Sequence, residues 1–221
     1  MAINLQKGQT IDLRKNNNGE LFDLNQVTIG LGWDVKQKQA NFFGKIFGSK
    51  EVEYDLDAIA FLLDPNGKVG NLGRTVQNNN GGQVGLYGGD IIFFNSMKHP
   101  SGHIWLTGDN RTGDGDGDDE QIIVKLDSLD QKYQKIVFLV TIYQGRKNGQ
   151  HFGLIENAFI RAVDSKGNEI AKFNLSGNDT LNEMCSMVFA EAYRKDGEWK
   201  FRAIGEPQRT DNFVDILKSY I

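Results

Sequence analysis

Short runs of β-branched and aromatic residues, each closed by turn-forming residues, recur along this chain and read as strands. In order they are QVTIGLGW (26–33), YDLDAIAFLLD (54–64), DIIFFN (90–95), HIWLTG (103–108), QIIVKL (121–126) and KIVFLVTIYQ (135–144). LIENAFIRAVD (154–164), EIAKFNL (169–175), CSMVFAEAYR (185–194) and EWKFRAIG (198–205) follow. DSKGNE joins the strands near 160 and 170, and Asp196-Gly197 between the last two is a hairpin signal. IVFLV and AIAFLL are apolar at every position, so both faces of those strands must be covered. No strand–helix–strand alternation appears, which argues against a parallel α/β fold. The expected fold is all-β, a two-layer β-sandwich.

One helix is expected, at the C-terminus in TDNFVDILKSYI. Phe213, Ile216, Leu217 and Tyr220 form an apolar stripe there, and Thr210 or Asp211 is placed to cap it. Two segments read as loops. DVKQKQANFFGKIFGSKE (34–51) carries Phe42, Phe43 and Phe47, and PNGKVGNLGRTVQNNNGGQVGLYGG (65–89) is rich in Gly and Asn. Loops of that length in a compact domain are often functional. No repeat and no linker divides the chain, so 1–221 reads as a single domain.

Composition narrows the function. The net charge of −4 gives no support to a nucleic-acid role. The single cysteine, Cys185, excludes an internal disulfide and a multi-cysteine zinc site, and its apolar surroundings make it a small core residue. The N-terminal stretch lacks the apolar centre of a signal peptide. No apolar run approaches the ~18 residues a membrane helix needs.

The candidate chemistry lies in GDNRTGDGDGDDE (108–120), which packs six carboxylates and four glycines into thirteen residues with one arginine, Arg111. Like charges ~6 Å apart repel by about 0.7 kcal/mol per pair in water, and by more where water is excluded. Hard divalent cations answer such a segment: calcium takes six to eight oxygen ligands, and glycines let backbone carbonyls turn inward. Asp114-Gly115-Asp116-Gly117-Asp118 begins like an EF-hand loop but departs from it at Asp119 and Lys125, and its flanks are strands. Magnesium prefers fewer protein ligands, and zinc is disfavoured by the lack of nearby His or Cys. Further carboxylates should converge. Asp55 and Asp57 share one face of a strand, roughly 7 Å apart. For that pair a ligand role and a turn-capping role are evenly balanced, while for Asp34, at a strand end, the capping role is favoured.

The pieces INLQKGQTIDL, TIGLGWD, DLDAIAFLLD, GDNRTGDGDGDDE, FGLIENAFIRAVD, GNEIAKFNL and MVFAEAYRKDGEWKFRAIG occur in one order over most of residues 1–205. In them the chain resembles the TerD family, the bacterial tellurium-resistance and chemical-stress proteins. The resemblance implies a β-sandwich with a pair of neighbouring Ca2+ sites, a cytoplasmic location, and other Ter proteins, including a membrane-associated Ter complex, as partners. It implies no catalytic reaction. Its motifs carry onto Asp34, Asp55 and Asp57, and onto Asp109, Asn110, Asp118, Asp119 and Glu120. Asp114 and Asp116 rank lower as side-chain ligands, and the glycines between them can offer carbonyls. Segments near 36–50 and 66–89 stand as insertions.

Three readings of function follow. The first is a non-enzymatic calcium-binding stress protein acting as scaffold or sensor. The second is a metal-dependent phosphoester hydrolase built on the same carboxylates. The third is a calcium-dependent membrane or partner adaptor whose Phe42, Phe43 and Phe47 dock. For those phenylalanines a small satellite core is favoured. His99, His103 and His151 lack the setting of a catalytic base and read as structural or solvent-facing. No nucleophile elbow, phosphate-binding loop or zinc-protease motif is present.

Overall fold

Side-chain alternation sorts the first sheet. In β9 (Glu120–Val124) every second residue is buried and the others are half-buried. The same period runs through β11 (Ile155–Val163), where Ala158, Ile160 and Ala162 are buried between half-buried Phe159, Arg161 and Val163. A half-covered antiparallel sheet requires that pattern. The structure, a computed structural model, describes residues 3–4, 6–13, 19, 21–35, 54–107, 118–174 and 181–221.

The remaining strands are β1 (Ile3–Asn4), β2 (Thr10–Asp12), β3 (Val27–Val35), β4 (Leu56–Leu63), β5 (Arg74–Gln77), β6 (Gln83–Tyr87), β7 (Ile91–Ile92), β8 (Ile104–Leu106), β10 (Lys135–Ile142), β12 (Glu169–Asn174), β13 (Ser186–Lys195) and β14 (Glu198–Gln208). Among the described residues one six-stranded sheet has the order β1-β12-β11-β3-β9-β8, here the first sheet. A second has the order β2-β14-β13-β10-β4-β7. The pairings are antiparallel except for the short β1–β12 contact. The two inner faces meet in one core that includes Ile29, Leu31, Trp33, Ile122, Leu56, Ala60, Phe138 and Phe189. Each of the larger aliphatic or aromatic side chains contributes about 1.5–3 kcal/mol when fully buried.

The second sheet is covered on its outer face as well. All eight residues of β4 are buried. Ile59, Phe61 and Leu63 face away from the inter-sheet core and pack with Val137, Leu139, Ile216 and Leu217. The last two belong to α2 (Phe213–Leu217), which follows the short α1 (Gly145–Asn148) in the chain. Phe213 and Tyr220 complete the seal, their rings 6.3 and 5.7 Å from that of Phe61. The apolar stripe expected for this helix is therefore the stripe that packs. Its cap is different: Asn212, not Thr210 or Asp211, accepts the Val214 N–H at 3.1 Å. Thr210 instead takes the Asn212 N–H, and Asp211 takes the Arg146 N–H.

Part of the segment read as a long loop is a hairpin. β5 and β6 pair with each other only, and most of their side chains are half-buried or exposed. Val76, Val84 and Leu86 are only half-buried there, so alternation in β6 sets half-buried against exposed positions and leaves no fully buried stripe. DIIFFN in turn forms only the two-residue β7, because Phe93 and Ser96 bridge each other and turn the chain. The Asp196-Gly197 turn is confirmed, with φ of 55° and 80° at the two residues. Both values lie in the left-handed region that a two-residue hairpin of this kind requires.

Candidate metal centre

The end of the acidic segment is built from strands that run out. β9 stops pairing with β3 at Leu31, and the Asp119 N–H carries the ladder one bond further to the Leu31 carbonyl at 2.8 Å. The next backbone N–H on that edge of β3 belongs to Trp33, and the Asp119 carboxylate accepts it at 2.9 Å. In the second sheet β7 pairs with β4 only at Ala60 and Phe61. The Ala58 N–H lies beyond it and is taken by the Glu120 carboxylate at 2.5 Å. An unpaired buried backbone donor is costly, and a charged acceptor makes the stronger kind of bond. Glu120 is 2% exposed, so its side chain bridges the two sheets from within.

Asp118 turns the other way. Its Oδ1 accepts from Arg161 Nε at 2.7 Å and its Oδ2 from Gln121 Nε2 at 3.3 Å. Arg161, Gly30 and Gln121 are register partners on β11, β3 and β9, so they form one row on the outer face of the first sheet. The Asp118 carboxyl lies where a side chain at position 30 would be: a methyl group there would overlap it. The Asp118 side chain is only 3% exposed, and Arg161 Nη1 also reaches Glu169 at 3.4 Å. Three consecutive carboxylates thus each meet a donor from a different element: β11, β3 and β4.

The other expected ligands are distributed. Asp34 is exposed and accepts from Asn157 Nδ2 at 2.7 Å. Asn157 sits in a bulge of β11 with φ 52°. Asp55 is half-buried just before β4, and its carbonyl accepts the Tyr143 N–H at 2.8 Å. Asp57 is buried on β4 opposite Thr141, one residue from the Ala58 N–H that Glu120 holds. Asp109, Asn110, Asp114 and Asp116 lie outside the described residues, as do Arg111, Phe42, Phe43 and Phe47. Among the described residues no three His, Cys, Asp or Glu side chains are grouped to hold a metal. The segment's side chains nevertheless offer oxygen donors only, the chemistry that suits a hard cation. Its last residues, 118–120, are fixed to both sheets.

A second polar cluster gathers around the buried Asp90. Asp90 Oδ1 accepts from Tyr133 Oη at 2.6 Å and lies 3.2 Å from His99 Nε2, and Asp90 Oδ2 accepts the Asn71 N–H at 2.8 Å. Burial works to raise the Asp90 pKa, but the His99, Tyr133 and Asn71 donors outweigh it and hold it below the usual carboxylate value. Burial and the adjoining Asp90 push the Tyr133 hydroxyl upward. His99 Nδ1 faces Ser101 Oγ at 2.7 Å within its own turn.

A family model described as the TerD domain matches residues 1–220. The chain belongs to the TerD family. It is 57% identical over 221 residues to tellurium resistance protein TerX of Serratia marcescens, covering 100% of both chains. It is 40% identical over 222 residues to stress response protein SCP2 of Bacillus subtilis (strain 168), again covering 100% of both. A crystal structure of a homologue of telluride resistance protein from Streptomyces coelicolor A3(2) superposes with a TM-score of 0.59 at 20% identity. That match covers 86% of this chain and 94% of the other and speaks for the fold alone. These TerD relatives are named for resistance or stress response, not for a catalytic activity.

Among the residues that sequence reasoning missed, besides Gln121 and Glu169, are Gly30, Arg161 and Asn157. These last three lie inside matching pieces, TIGLGWD and FGLIENAFIRAVD. The available signal was strand parity. Arg161 alternates with the buried Ile160 and Ala162, so a solvent-side partner for its charge was to be expected.

Proposed function

We propose that this TerD-family protein is a non-enzymatic calcium-binding stress-response protein that acts as a scaffold or sensor. The observation that carries the reading is the anchoring of residues 118–120 to three strands of two sheets. An oxygen-rich segment tied so firmly at one end is suited to present its remaining donors to a cation. Asp34, Asp55, Asp57, Asp109, Asn110, Asp118, Asp119 and Glu120 are the residues we propose as its ligands, with Asp114 and Asp116 ranked lower as side-chain ligands. Two neighbouring ions are the expectation carried from the family resemblance. Bound calcium would supply the positive charge that the segment's self-repulsion calls for. As setting and partners we propose the cytoplasm and other Ter proteins, including a membrane-associated Ter complex.

A hydrolase reading is less well supported. Arg161 is the cation set beside Asp118, and its Nε and Nη1 are both engaged by carboxylates, which leaves it poorly placed to stabilise a transition state. Thermal melts test the proposal. A ligand that binds only the native state at a hundred times its Kd adds about 2.7 kcal/mol, roughly 5–10 °C for a chain of this size. Calcium should raise Tm by that order and magnesium by far less. A Tm indifferent to millimolar calcium refutes the reading.

A further inference from the structure

The row Arg161–Gly30–Gln121 gives Asp118 a role distinct from that of its acidic neighbours. We propose that Asp118 is not a cation ligand but a latch, seated over Gly30 by Arg161 and Gln121, that positions the acidic segment for the ion. This rests on the calcium reading above and assigns one of its carboxylates elsewhere. Four observations support it. The Asp118 side chain is 3% exposed, so it is seated against the protein and not held out to solvent. Both of its oxygens take donors from the sheet, at 2.7 and 3.3 Å. The guanidinium already neutralises its charge and is held on its far side by Glu169 at 3.4 Å. Finally, the seat is shaped: β3 has a glycine at the one point where a Cβ would strike the carboxyl, and that glycine is not in the left-handed region. Space for Asp118, not backbone conformation, accounts for the missing side chain at Gly30.

A latch of this kind acts through geometry. Asp118 immediately precedes Asp119 and Glu120, which the Trp33 and Ala58 N–H groups hold. Releasing it frees the chain just where the acidic run enters the strand. Partners that orient metal ligands without touching the metal typically contribute 10–100-fold to affinity.

Three single variants separate the latch from a ligand. Arg161→Gln removes the counter-charge, Asp118→Asn removes the carboxylate with little change of shape, and Gly30→Ala fills the seat while leaving every charge in place. Calcium calorimetry on each should give at least tenfold weaker affinity with the same number of ions as the unaltered protein. Without metal, Arg161→Gln and Asp118→Asn should each lower the urea midpoint, and the double variant should lose no more than the worse single one. Loss of one ion in Asp118→Asn would make Asp118 a ligand and overturn the proposal. Unchanged or tighter binding in folded Arg161→Gln or Gly30→Ala would overturn it too, as would additive losses in the metal-free double variant. If the unaltered protein binds no calcium, the calcium reading and the positioning role fall together. If it binds calcium and the variants bind equally well, only the latch fails.

Discussion

At Glu120 a charged side chain does the work of a missing strand. Its carboxylate takes the Ala58 N–H where β7 no longer reaches, at 2% exposure. Replacing it with leucine would leave that donor buried without its acceptor. A lost hydrogen bond to a charged group costs about 1.5–3 kcal/mol. Glu120→Leu should therefore lower the urea midpoint by that order at unchanged m-value, and Glu120→Gln, which keeps an acceptor oxygen, by less. An unshifted midpoint in Glu120→Leu would show that the bond adds nothing. Asp90 makes a pH prediction. Its pKa is depressed in the folded protein, so the native state binds its proton later than the unfolded chain does as pH falls. The stabilisation is complete above the unfolded value near 3.8 and is lost as the pH drops through the lower folded value. Asp90→Asn should flatten this acid limb of the stability profile below about pH 4. Tyr133→Phe removes a donor to the same carboxylate and should cost about 1–3 kcal/mol near neutral pH. A Tyr133→Phe protein as stable as the original would mean that His99 and Asn71 hold Asp90 unaided.

At the scale of elements, the C-terminal helix decides how the second sheet is finished. α2 covers Ile59, Phe61 and Leu63 on a face that would otherwise be open to water. A chain ended at residue 211 should expose that face, bind an apolar dye strongly and aggregate. A dye-silent, monomeric truncation would contradict the packing. This helix and the long strands were legible in the sequence because each buries a regular apolar stripe. The β5–β6 hairpin was not, because its strands pair with each other and have no fully buried stripe. The helix cap was misplaced for a simpler reason: Thr210, Asp211 and Asn212 are all competent caps, and only the chain's path selects Asn212. In the site, the acidic segment was visible from charge density alone. Its partners were not, since the Trp33 and Ala58 N–H groups are backbone donors without a sequence signature. Gly30 marks space for a residue 88 positions away, Asp118 (from 118 − 30), and no local pattern reports that.

The whole molecule is a sandwich whose two sheets are tied at one end by the carboxylates of a single segment. Asp118 binds the outer face of the first sheet, Asp119 its strand edge, and Glu120 the neighbouring strand of the second. The Arg161 guanidinium offsets the charge of Asp118, and Asp119 and Glu120 each accept a backbone N–H. Asp109, Asp114 and Asp116 are assigned with Asp119 to divalent cations, and the metal-free protein should be intact but less stable. Calorimetric titration of calcium into chelator-treated protein tests this most directly. The expected result is saturable binding of two ions per chain, undisturbed by equimolar magnesium, with a micromolar Kd if the protein is a sensor and a nanomolar one if the ion is structural. Heats no larger than dilution up to millimolar calcium, from protein that is still folded, would contradict it.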